Sequence, residues 1–109
     1  RIGARIRAQV HRLSSNMLRY QVSGDATYRE RFNLYKEELD NFLTTNAKFL
    51  STDNEKRLLS QLQQQLQDYY AGADRLMNSR QAADLPAAQM EQIKSGLDRC
   101  VELSLQLGE

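Results

Sequence analysis

Arginine is the residue type in this chain whose placement points to chemistry. Arg1, Arg5, Arg7, Arg12 and Arg19 all fall within the first 22 residues, together with His11 and with no acid before Asp25. A guanidinium is a planar fork of N–H donors that meets carboxylate or phosphate oxygens two at a time. At about 100° per residue, Arg1, Arg5, Arg12 and Arg19 lie within about 40° of one another on a helix. No Asp or Glu stands three or four residues from Arg5, Arg12 or Arg19 to pair with it in the same helix. The row is therefore balanced by an acid from another helix, by solvent ions or by a bound anion; the bland alternative is a solvated helix flank. Arg19 is the first candidate for an anion site, because it lies next to a turn where a solute can reach it. Arg12 is second and Arg5 third. Tyr20 follows Arg19, and counting along an adjacent helix returns Tyr28 to the height of Arg19 and Tyr35 to that of Arg12, so Tyr20 and Tyr28 join the candidate site.

Other chemistries find little support. His11 is the single histidine and Cys100 the single cysteine. A nucleophilic Cys–His pair needs the two in contact; an exposed His11 and a buried Cys100 are expected instead. One thiol forms no internal disulfide, and a zinc site needs more ligands. Glu-x-x-His pairs for a di-iron bundle, a Cys-x-x-Cys-His haem motif and a Gly-rich phosphate loop do not occur. No catalytic residue, metal or cofactor is expected. The net charge of +1 hides an asymmetry: after residue 22 the acids exceed the bases by four. A local basic patch on a mildly acidic body argues against nucleic-acid binding, which wants a broad basic surface. The five tyrosines, Tyr20, Tyr28, Tyr35, Tyr69 and Tyr70, fall mostly on heptad seams and read as core.

The elements that must position these residues are helices. A chain of 109 residues makes one domain with one modest core. Ile2, Ile6, Val10, Leu13, Met17 and Tyr20 recur at steps of four and three and predict a helix over about 1–22. Ser23-Gly24-Asp25 supplies a left-handed stop and the next N-cap. Tyr28, Phe32, Tyr35, Leu39, Phe42 and Phe49 predict a second helix over about 26–50. Thr52 followed by Glu55 is a capping box opening a third helix over about 53–80, with a seam of Leu59, Leu62, Leu66, Tyr69, Ala73, Leu76 and Arg80, flanked by Leu58, Tyr70 and Met77. Gln81–Leu85 reads as a loop, and Pro86 suits the first turn of a fourth helix over about 86–107, with Met90, Ile93, Leu97, Cys100, Val101 and Leu107. Gly96 interrupts it at a cost of about 1 kcal/mol and marks a place where something approaches closely. The fold expected is all-α, an antiparallel up-down four-helix bundle. The link Ser51–Asn54 has neither Gly nor Pro, so a continuous helix there, with helices exchanged in a dimer, stays open. Ala4, Ala8, His11, Leu18 and Val22 form a second, less polar face of the first helix, suited to self-association.

The stretch LRYQVSGDATYRERF, residues 18–32, resembles the junction of the first two helices in periplasmic sensor domains of bacterial sensor histidine kinases, alginate-regulating kinases among them, and of chemoreceptors. These carry a basic or aromatic helix end, a Gly-Asp turn, then Tyr or Phe in the next helix; here those are Arg19, Tyr20, Gly24, Asp25, Tyr28 and Phe32. The resemblance implies that 1–109 is one periplasmic ligand-binding domain of an inner-membrane protein, set between two transmembrane helices. It also implies a homodimer, a small anionic ligand (phosphate, sugar phosphate or carboxylate) and a signal passed to a cytoplasmic kinase, the domain itself being no enzyme. No run of about 18 apolar residues spans a membrane. Both ends fall inside helical patterns, as an excised periplasmic domain would look. A chemoreceptor domain for organic acids is the alternative of the same class; a helical adaptor that binds only proteins, without a small ligand, is the alternative of a different one. Flanking stretches of about 20 apolar residues would decide for a sensor.

Overall fold

Asp25 and Thr52 determine where two of the helices start. In the computed structural model, which describes residues 2–79 and 87–108, Asp25 has extended backbone and its carboxylate accepts the Thr27 N–H at 3.0 Å. Just before it, Gly24 takes a φ of 72° and its N–H reaches the Tyr20 carbonyl at 2.8 Å, closing the preceding helix. Thr52 completes the capping box: its hydroxyl accepts the Glu55 N–H, and the Glu55 carboxylate accepts the Thr52 N–H. Among the described residues these signals delimit four helices, α1 (Ile2–Ser23), α2 (Ala26–Asn46), α3 (Asp53–Asn78) and α4 (Ala87–Gln106), with no strand.

The second helix ends earlier than its seam suggests. The α-helical course stops at Asn46, and Ala47–Phe49 form a 3-10 turn. Thr44 and Asn46 both bond back to carbonyls four residues earlier, of Asp40 and Phe42, which loosens a helix end. Leu50 then turns extended and buries itself as the anchor of the turn. Phe49, expected on the seam, is 66% exposed in consequence, and the Lys48 ammonium lies over its ring. The helical course is thus broken at Leu50–Thr52, inside the link expected around Ser51–Asn54, and α3 starts at Asp53. Arg1, Arg80, the Gln81–Leu85 loop and Pro86 lie outside the described residues.

The core takes Ile6, Val10, Leu13 and Met17 from α1, Phe32, Leu39 and Leu43 from α2, and Ile93, Cys100 and Leu103 from α4. The widest buried face belongs to α3, where Leu58, Tyr70 and Met77 join the seam residues inside. Met90, expected on the inner face of α4, is exposed, while Leu103 and Ser104, near the other end of the helix, are fully buried. Helix α1 packs closely on α2 and α4, and α3 on α4. Between α2 and α3 the backbones stand further apart, and Phe32, Tyr69 and Tyr70 fill the space with ring centroids 6.1–6.5 Å apart. That asymmetry agrees with a body of 47 × 27 × 18 Å, broader in one short direction than in the other.

The close side of the bundle rests on glycine. A Cβ on buried Gly3 would run into the Gly108 carbonyl oxygen and stand 2.5 Å from that of Ser104. The start of α1 and the end of α4 are therefore in near backbone contact.

Candidate anion site along helices α1 and α2

The arginine row lies against α2 one heptad at a time. The Arg5 guanidinium carbon is 5.2 Å from the Phe42 ring centroid, that of Arg12 is 5.6 Å from Tyr35, and that of Arg19 is 5.9 Å from Tyr28. The heptad seam of α2 has divided its labour. Phe32 and Leu39 face the core, while Tyr28, Tyr35 and Phe42 form a half-buried shelf under the guanidinium groups. Tyr28 and Tyr35 stand at the heights the sequence assigns them. Tyr69 and Tyr70 are core, as expected; Tyr20, Tyr28 and Tyr35 are only half-buried and carry cations on their rings.

Stacking has a chemical consequence. A guanidinium over a ring uses its face and keeps its in-plane N–H donors for other partners. Arg5, Arg12 and Arg19 are all exposed, and none forms an ion pair with a carboxylate among the described residues. The arginines are seven residues apart, about 10.5 Å along the axis. One small anion therefore meets one arginine of the row from a given chain, and the row is a series of separate positions.

The three positions differ. Arg12 Nη1 donates to Gln9 Oε1 at 3.1 Å, and Gln9 Nε2 donates to Glu38 Oε2 at 3.3 Å. Arg5, Arg12 and Glu38 line one open cleft of about 870 Å³. Helix α2 thus brings an acid to Arg5 and Arg12. Around Arg19 the balance is the reverse. Arg31 lies over the same Tyr28 ring, at 5.7 Å, so two guanidinium groups share one ring. Arg29 lies over Tyr20 at 5.9 Å and is neutralised by Asp74 at 3.6 Å. Asp25 is the acid nearest this end in the chain; its carboxyl is held below the usual range chiefly by the Thr27 N–H, with Arg31 a minor contributor. Tyr20 carries Arg29 on its ring, while Arg19 and Arg31 share Tyr28.

Arg31 and Phe42 are the residues that sequence reasoning missed. Both had a signal. Arg31 is three residues beyond Tyr28, the spacing that lays a side chain over its helical neighbour. Phe42 continues the 28–35 heptad and so meets the next arginine of the row.

The second face of α1 is open along its length, with Ala4, Ala8, His11, Leu18 and Val22 all exposed, Val22 at 86%. Cys100 is buried, and burial pushes its thiol up to about 12, far from a nucleophile's range. His11 is exposed on α1. Among the described residues no cluster of His, Cys, Asp and Glu is arranged to hold a metal ion. No protein-family model, curated protein or solved structure matches this chain.

Proposed function

We propose that the chain is the extracytoplasmic sensing domain of a bacterial two-component sensor histidine kinase, of the kind that includes the alginate-regulating kinases. On this reading it is one periplasmic domain of an inner-membrane protein, held between two transmembrane helices. It binds a small anion, phosphate, a sugar phosphate or a carboxylate, at Arg19. The observation that carries the reading is the pair of guanidinium groups, Arg19 and Arg31, that share the Tyr28 ring with no ion-paired acid among the described residues. Two cations about one ring repel each other, and an anion accepting from both relieves that cost. Arg12 and Arg5 extend the same row as weaker positions beside Glu38.

The topology belongs to the same proposal. The helices run up, down, up, down: the pairs 5–42, 12–35 and 19–28 rise on α1 as they fall on α2, and Gly3 meets Gly108. The chain acts as a homodimer through α1. Ala4, Ala8, His11, Ser15, Leu18 and Val22 alternate steps of four and three, the seam spacing of paired helices. A dimer with helices exchanged at the Ala47–Thr52 break would keep the same internal contacts. Ligand binding at the turn end shifts α1 against α2, and that shift passes to the membrane segments and biases the kinase.

The test is calorimetric titration with phosphate, glucose 6-phosphate and citrate. The native domain binds at least one of them; Arg19→Ala weakens it at least tenfold, Arg19→Lys does not restore it, and Arg12→Ala has the smaller effect. An exposed cation–ring contact is worth about 0.5–1 kcal/mol, so these variants keep their fold. Equal binding by native protein and Arg19→Ala would reduce the row to a solvated flank.

A further inference from the structure

We propose a second ligand site, in the groove between α3 and α4, that takes a small linear zwitterion with a carboxylate at one end and a primary ammonium at the other. It lies on different helices from the anion site and does not depend on that reading.

The two helical glycines facing this groove differ in what holds them. Gly72 is required by packing: a Cβ there would stand 3.1 Å from Ile93 Cγ1. Gly96 is required by no packing contact among the described residues. It has ordinary helical backbone, and no described atom lies within 4 Å of the position its Cβ would take. A glycine inside a helix costs about 1 kcal/mol relative to alanine. At Gly96 that cost leaves open space, and the space is the wall of a cavity of about 590 Å³.

The charges around the cavity give the ligand class. Arg75 Nη2 is 4.0 Å from the Cβ position of Gly72, so its guanidinium folds back along α3 toward Asp68. Among the described residues no carboxylate pairs with Arg75, and no cation pairs with Asp68, which accepts one bond from Gln64 at 3.2 Å. The third charge lining the groove, Arg99, is already tied to Glu102 at 2.7 Å. One unpaired cation and one unpaired anion remain, seven residues and so about 10.5 Å apart along α3 at the backbone, a span that the Arg75 side chain shortens by lying back over Gly72. A carboxylate on Arg75 and an ammonium on Asp68 satisfy both. The methylenes between them lie over Gly72 and Ile93 and fill the space beside Gly96.

The experiment is calorimetric titration of the chain with β-alanine, 4-aminobutyrate and 5-aminovalerate, with butyrate and butylamine as single-charge controls. At least one zwitterion binds saturably, and each control binds at least tenfold more weakly. Arg75→Gln and Asp68→Asn each weaken the zwitterion at least tenfold. Gly96→Leu fills the groove and abolishes binding while the chain melts no lower than native, which separates occupation of the site from loss of the fold. Arg19→Ala leaves this binding unchanged. Absence of binding by all three zwitterions overturns the proposal, as do butyrate binding as tightly as 4-aminobutyrate and Gly96→Leu binding as native. Loss of self-association in Gly96→Leu would reassign the groove to a second copy of the chain and overturn it equally.

Discussion

At the scale of residues, the chain separates cations that stack from acids that cap or are buried. The stacked arginines are cheap to remove, whereas a buried leucine such as Leu66 replaced by alanine costs about 2–5 kcal/mol; melting curves of Arg19→Ala and Leu66→Ala should differ accordingly. The acids respond to pH in opposite senses. Burial between α2 and α3 raises the Asp40 carboxyl above its ordinary 3.8, partly offset by the Tyr70 hydroxyl, which donates to it at 3.2 Å. The folded state therefore holds that proton more tightly than the unfolded chain. The resulting stability is full below pH 3.8 and is lost as pH rises through the raised value. Asp40→Asn keeps an acceptor for Tyr70 without the charge, so it melts no lower than native at neutral pH and loses that part of the pH dependence. Asp25 and Glu55 are shifted down by the N–H groups they cap, first those of Thr27 and Thr52. Their stabilisation is present above the ordinary values and lost as pH falls through the lowered ones. Asp25→Ala consequently destabilises at neutral pH, and its melting temperature converges on the native one in acid.

At the scale of elements, turns and close approaches set the boundaries. Thr52→Ala removes one half of the capping box and costs about 1 kcal/mol by chemical denaturation. Gly3→Ala drives a methyl group into the carbonyls of Gly108 and Ser104, and an overpacked contact of this kind costs about 1–3 kcal/mol. The helices and both capping signals were legible in the sequence because each is local: a heptad stripe, a Gly-Asp stop and a Thr-x-x-Glu box. So were the heights of Tyr28 and Tyr35 opposite Arg19 and Arg12, because heptads on two packed helices keep register. The early end of α2 was not legible, since Phe49 continues the stripe while the chain turns so that Leu50 is buried instead. Arg29 over the Tyr20 ring was not legible either, because the two residues come from different helices and share no heptad step. The tight contact of Gly3 with Gly108 joins the chain's two ends and leaves no periodic trace.

At the scale of the whole molecule, the arrangement proposed is a bundle with an anion position near the α1–α2 turn and an open seam along α1. If α1 pairs with a second copy, sedimentation at rising concentration shows a dimer. Leu18→Glu on the seam then yields a monomer with an unchanged helical spectrum, and a native monomer at every concentration would argue against the seam. The central claim is that Arg19 and Arg31 hold an anion between them, and it is tested most directly by the side-chain Nε–Hε resonances of the arginines during a phosphate titration at constant ionic strength. The account predicts saturable shifts at Arg19 and Arg31 that fit one shared dissociation constant, with smaller and weaker changes at Arg5 and Arg12. Shifts of similar size at every exposed arginine, rising without saturation, would contradict it.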